Sequence, residues 1–135
     1  MANNAQLTID GKKSDLKYLQ YHFHRHTEDN GKPSTRIRKG EITMTKDSIY
    51  DKDSLITWLS DPDKGKDGEI VIYSDEQRKT ALKTIKFTNS FIVKYEEVFD
   101  LEKPNSNTVE TFTISAETID IDNSKFDFIW PESQN

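Results

Sequence analysis

LQYHFHRHTEDNGKPSTRIRKG, residues 19–40, decides how the chain is read. Leu19, Tyr21 and Phe23 alternate with Gln20, His22 and His24. A period of two sends successive side chains to opposite faces of a β-strand. One face is apolar and belongs to a core. The other, carrying Tyr18, Gln20, His22, His24 and His26, meets water or a partner. Past His26 the chain is polar. Asp29-Asn30-Gly31 is turn chemistry, Pro33 holds Lys32 extended, and Arg36 and Arg38 alternate about Ile37, so a strand resumes. Ile42 and Met44 then share a face with Gly40. The pattern predicts two strands joined by a basic, polar arm.

The same period recurs along the chain. Leu7 and Ile9 alternate with polar neighbours before the turn pair Asp10-Gly11, and further strands are expected at 68–74, 81–89, 91–100, 108–121 and 125–130. Asn89-Ser90 reads as a tight hairpin connection and residues 101–108 as a longer polar turn. Only residues 50–68 break the pattern. There Asp53 or Ser54 can cap a helix of about two to three turns with an apolar stripe of Leu55, Ile56 and Leu59, and Pro62 helps stop it. The helix packs on an open end or side of a barrel, where Trp58 is placed to cover the end and reads as a core tryptophan rather than a ligand-binding one. The expected fold is mainly all-β, a β-barrel of two packed sheets with one short α-helix.

Composition narrows the function. A chain of 135 residues predicts one domain, with an ordered core from about residue 5 to 130 and short flexible termini. A net charge of -5 lacks the basic footprint of a nucleic-acid binder. No cysteine means no disulfide, no thiolate nucleophile and no Cys-based zinc site. The start MANNAQLTIDGKKSD lacks the apolar run of a signal peptide, and no segment is long and apolar enough for a membrane helix.

Catalytic patterns are missing as well: no nucleophile elbow, phosphate loop or metalloprotease helix motif occurs. Glu96 and Glu97 fall on opposite strand faces. Asp120 and Asp122 share a face and read as a solvated edge rather than a cation site. Two of the three histidines, His22 and His24, could converge on a zinc ion, but the third ligand would have to be a distant Asp or Glu. A polar strand face is the preferred reading, and a metal-binding β-barrel enzyme using His22 and His24 is the alternative. The arm has its own chemistry, because a basic projection on an acidic body is complementary to a copy of itself.

FHRHTEDNGKPSTRIRKGEITMT, SLITWLSDP, LKTIKFTNSFIVKYEEVF and ETFTISAETIDI, with Trp130 near the C-terminus, resemble in order and spacing the Hcp-like tube protein (TssD) of type VI secretion systems, in its Bacteroidetes branch. The resemblance spans nearly the whole chain. The family's loop pattern falls on Gly31, Pro33, Ser34, Arg36 and Arg38, while a second glycine at its close is Lys39 here. The resemblance implies a tail-tube-like barrel that assembles into hexameric rings stacked into a hollow tube, with Gly31, Lys32, Pro33, Ser34, Thr35, Arg36 and Arg38 forming the interface and ring-stacking arm. It implies no catalysis, no cofactor and no metal. The implied partners are further copies, a contractile sheath, a spike protein at the tip and effector proteins, with no nucleic acid and no membrane insertion. The protein would be cytoplasmic when assembled and then secreted through the type VI apparatus. A tube-fold paralogue that no longer assembles is a further alternative.

Overall fold

Period-two alternation becomes strand nearly everywhere it occurs. The computed structural model describes residues 3–48, 54–103, 108–128 and 130, without the side chains of His26, Ser34, Thr35, Arg36 and Arg38. Its elements are β1 (Asn4–Ile9), β2 (Lys12–Thr27), β3 (Pro33–Asp47), α1 (Leu55–Leu59), β4 (Lys66–Tyr73), β5 (Ala81–Glu97), β6 (Val109–Ile121) and β7 (Ser124–Asp127). They form one seven-stranded sheet in the order β3-β2-β1-β4-β5-β6-β7, and β3 pairs in addition with β6. The circuit from β3 through β6 therefore closes, and β7 lies outside it on β6. The expected barrel is made by one continuous sheet whose walls share a single apolar core.

Inward positions follow the alternation. Leu7 of β1, Ile42 and Met44 of β3, Ile70 of β4, Ile85 and Phe87 of β5, and Phe112 and Ile114 of β6 are all buried. Asp10-Gly11 and Asp122-Asn123 join β1 to β2 and β6 to β7 with positive φ at both residues, the backbone that two-residue hairpins require. Asp122 is thus a turn residue. Its Oδ1 accepts the N–H of Thr84 at 2.9 Å, and Asp120 Oδ1 accepts that of Asn123 at 2.8 Å, so both carboxylates serve the backbone.

Two expectations are corrected. Asn89-Ser90 is no hairpin, because β5 runs unbroken from Ala81 to Glu97. Asn89 has φ 49°, a bulge that shifts the alternation so that Phe87 and Ser90 both point inward. Its N–H reaches Asp67 at 2.8 Å and its side chain reaches Glu117 at 2.9 Å, which holds the bulge in place. The helix spans only five residues and buries Leu55 and Trp58, leaving Ile56 and Leu59 exposed. A segment of little more than one turn presents one apolar pair, and the larger side chain takes the buried place. Ser54 occupies the N-cap position without a side-chain capping bond. Asp53, the other expected cap, lies outside the described residues.

Among the described residues, one facing pair of inward positions is charged. Lys46 follows Ile42 and Met44 on the inner face of β3, directly across from Glu110 of β6. Its Nζ lies 3.0 Å from Glu110 Oε2, with 4% and 1% of the two side chains exposed. The Tyr95 hydroxyl donates to Glu110 Oε1 at 2.7 Å. Burial, then the adjoining Glu110 carboxylate, push that hydroxyl well above the usual phenol range, so it stays a donor.

Candidate functional site

Residues that β1 and β6 leave unpaired build the arm. β2 pairs with β1 only from Lys12 to Leu16, and β3 pairs with β6 only from Glu41 to Asp47. From Tyr18 to Thr27, β2 bonds to β3 alone, and the β3 residues before Glu41 bond to β2 alone. The result is a two-stranded ribbon that leaves the barrel with both outer edges unpaired among the described residues. Glu28 N–H donates to the Lys32 carbonyl at 2.7 Å, and Gly31 N–H to that of Glu28 at 2.9 Å. Gly31 closes the tip at φ 89°, where a side chain would be strained. Register shifts after His24 and Arg25 bend the ribbon.

An aromatic cluster fixes the ribbon's base. The Phe23 ring lies 4.4 Å from that of Phe126 and 6.0 Å from that of Phe128, centroid to centroid, and Tyr21 meets Phe23 edge-on at 6.1 Å. β7 supplies Phe126, and Phe128 follows it. Gly40 lies beneath them, where a Cβ would come within 2.6 Å of Phe128 Cζ.

Of the expected arm residues, Gly31 and Lys32 lie at the exposed tip, and Pro33 starts β3 opposite Thr27. Ser34, Thr35, Arg36 and Arg38 have their backbones in β3, while their side chains lie outside the described residues. His22 Nε2 lies 3.3 Å from Glu41 Oε1, and Lys39 Nζ 3.1 Å from Glu41 Oε2. His24 is exposed. Among the described residues no three His, Asp or Glu side chains are grouped to hold a metal ion.

The fold adds a surface that no motif announced. β2, β3, β6 and the second half of β5 form a four-stranded antiparallel wall. One outward row reads Tyr18, Thr45, Thr111, Glu96, and the next reads Gln20, Thr43, Thr113, Lys94. Thr43 and Thr113 share a hydrogen bond at 2.8 Å, and Thr45 and Thr111 at 3.0 Å. β4 pairs with β5 only as far as Ser90, so among the described residues the wall has an unpaired strand edge on each side, Phe91–Glu97 of β5 and Tyr18–Thr27 of β2. Alternating threonines were visible in the sequence. Their alignment across strands was not.

The model of the family described as Hemolysin coregulated protein Hcp (TssD) matches residues 1–131. The structure of Hcp1 from Flavobacterium johnsoniae is 31% identical to the chain, with 92% of this chain and 98% of that one covered and a TM-score of 0.76. The chain belongs to the Hcp (TssD) family. Hcp proteins are structural tube proteins of type VI secretion rather than enzymes, so the histidine-based enzyme reading falls away. Hcp1 from Salmonella typhimurium shares the fold at 12% identity, with 94% of this chain and 96% of that one covered and a TM-score of 0.69. So does a chain of the PVC sheath-tube complex of an extracellular contractile injection system, at 18% identity, 87% and 86% coverage and a TM-score of 0.61. No curated protein sequence matches the chain.

Proposed function

We propose that this tube protein acts by assembling into hexameric rings that stack into a hollow tube, which a contractile sheath expels with effectors and a spike at its tip. The observation that carries the reading is the pair of open strand edges on the four-stranded wall. Unpaired backbone N–H and C=O groups on an edge are a template for another strand. β2 and β5 run in opposite directions across the wall, so the β5 edge of one copy can extend the β2 edge of the next as another antiparallel pair. Such a contact joins unlike patches head to tail, and head-to-tail contacts close into a ring where the rotation between neighbours closes the circle. The joined walls then present their hydrogen-bonded threonines to a shared polar surface, suited to a lumen that passes cargo without binding it.

Stacking uses the long axis of the same strands. β2 begins at Lys12, beside the α1 end of the barrel, and finishes at Thr27, beside the arm tip. Rings stacked in one direction therefore bring the arm of each copy, Gly31 to Arg38, to the α1 end of another. Residues 1–135 act as a single domain, made in the cytoplasm and delivered through the type VI apparatus. Electron microscopy of the purified chain is expected to show six-fold rings, and sedimentation to show a matching oligomer. Monomers alone, at high concentration and across ionic strengths, would sink the assembly reading. The variant Arg36→Glu with Arg38→Glu is expected to weaken stacking or ring formation, and unchanged assembly removes the arm from the interface.

A further inference from the structure

A hollow beneath α1 and an acidic, apolar segment after β5 remain without a role. The hollow has a volume of about 300 Å³ and is floored by apolar side chains, among them Ile9, Leu55 and Trp58. Among the described residues, Lys12, Lys46, Lys64 and Lys66 line it together with Asp10 and Asp61, Lys46 being paired with Glu110 and Lys66 with Asp10, on a chain whose net charge is -5. A cavity of this size lies at the lower end of those that take a small ligand or a few side chains. Its chemistry fits an apolar group flanked by carboxylates.

The chain carries such a segment. Residues 96–102 read EEVFDLE, and within them Leu101 is 88% and Val98 69% exposed. Apolar side chains this open, with the Asp100 and Glu102 carboxylates on either side of Leu101, form a surface suited to burial against a basic partner. Position selects the partner. Glu97 pairs with Glu110, which pairs with Lys46, and Lys46 lines the hollow, so the segment leaves the barrel at the level of the hollow. Copies stacked along the tube meet through opposite ends. Copies side by side in a ring meet at the same level. The β5 edge of one copy against the β2 edge of its neighbour directs the residues after Glu97 toward the start of β2, where Lys12 lines the hollow.

We propose that the segment Val98–Glu102 of one subunit docks into the lysine-lined hollow beneath α1 of its neighbour in the same ring, with Leu101 as the apolar anchor. This rests on the ring reading above. The absence of native cysteine permits a direct test with the full chain. Thr57 lines the hollow, and both Thr57 and Leu101 are exposed, so Thr57→Cys and Leu101→Cys leave the core untouched. Under mild oxidation the double variant is expected to give a covalent ladder from dimer to complete ring on a non-reducing gel. A mixture of the two single variants is expected to stop at the dimer. Rings visible by microscopy without the ladder, or a cross-link confined within one chain, overturn the docking and leave the ring intact. If no rings form in the parent chain, ring reading and docking fall together. Separately, Leu101→Glu is expected to raise the concentration needed for half-assembly about tenfold or more while the monomer stays folded by circular dichroism. An unchanged assembly curve removes Leu101 as the anchor.

Discussion

Replacing Lys46 by methionine tests how the barrel closes. Lys46 and Glu110 face each other across the β3–β6 seam, and both side chains are almost fully buried. At 3.0 Å and an effective dielectric constant of about 20, their attraction is about 5 to 6 kcal/mol. Withdrawing two charges from water costs several kcal/mol each, so the intact pair stands near balance with an apolar pair of similar size. The asymmetry appears when one partner goes. Lys46→Met leaves the Glu110 carboxylate buried with only the Tyr95 hydroxyl, and the expected loss is about 3 to 5 kcal/mol. For a chain of this length that corresponds to a fall in Tm of roughly 10 to 20 °C. Adding Glu110→Leu should restore most of the loss, because no unpaired charge then remains inside. Urea unfolding of the parent chain and the two variants at one fixed protein concentration gives the comparison, assembly being held constant. A single substitution costing under about 1 kcal/mol, or a double variant no better than the single, would refute the charge-pair account.

Gly40→Ala forces a methyl group against Phe128 and Phe23, and denaturant unfolding should show a loss of about 1 to 3 kcal/mol. Trp58→Phe should cost far less than the roughly 3 to 5 kcal/mol of Trp58→Ala, because the buried Trp58 Nε1 has no hydrogen-bond partner among the described residues; the same unfolding assay checks both. The N–H groups of Thr80 and then Lys79 hold the Asp75 carboxyl below its ordinary value of 3.8. Because the folded-state value is depressed, the contribution is present above pH 3.8 and is lost as pH falls through the lower folded value. Asp75→Ala should therefore show a shallower loss of stability on acidification than the parent chain, and superimposable acid limbs would count against it.

Local alternation carried much of the architecture, since Leu19, Tyr21 and Phe23 turn inward wherever a strand forms, whatever it pairs with. Asp10-Gly11 was legible for the same reason: the backbone of a two-residue turn is a property of those two residues. Asn89-Ser90 misled because turn residues in a strand mark a hairpin or a bulge alike, and only pairing of β5 with β6 on both sides of Asn89 decides between them. The helix misled by its brevity, since a single turn does not establish a periodicity.

The arm was legible from its own residues, because turn chemistry and alternating arginines are local signals. Its base was not: Phe23 and Gly40 lie far from Phe126 and Phe128 in sequence, and β7 alone brings them together. Lys46 was unreadable for the same physical reason. Alternation assigns it to the inner face, but a lysine is tolerated there only because β3–β6 register sets Glu110 opposite it. By itself, then, the sequence determined the strands, their faces and the polar arm, which depend on neighbours one to four residues away. Tertiary structure decided which strands meet, so it alone set the barrel seam, the aligned threonines and the two open edges, each of which exists only between residues distant in the chain.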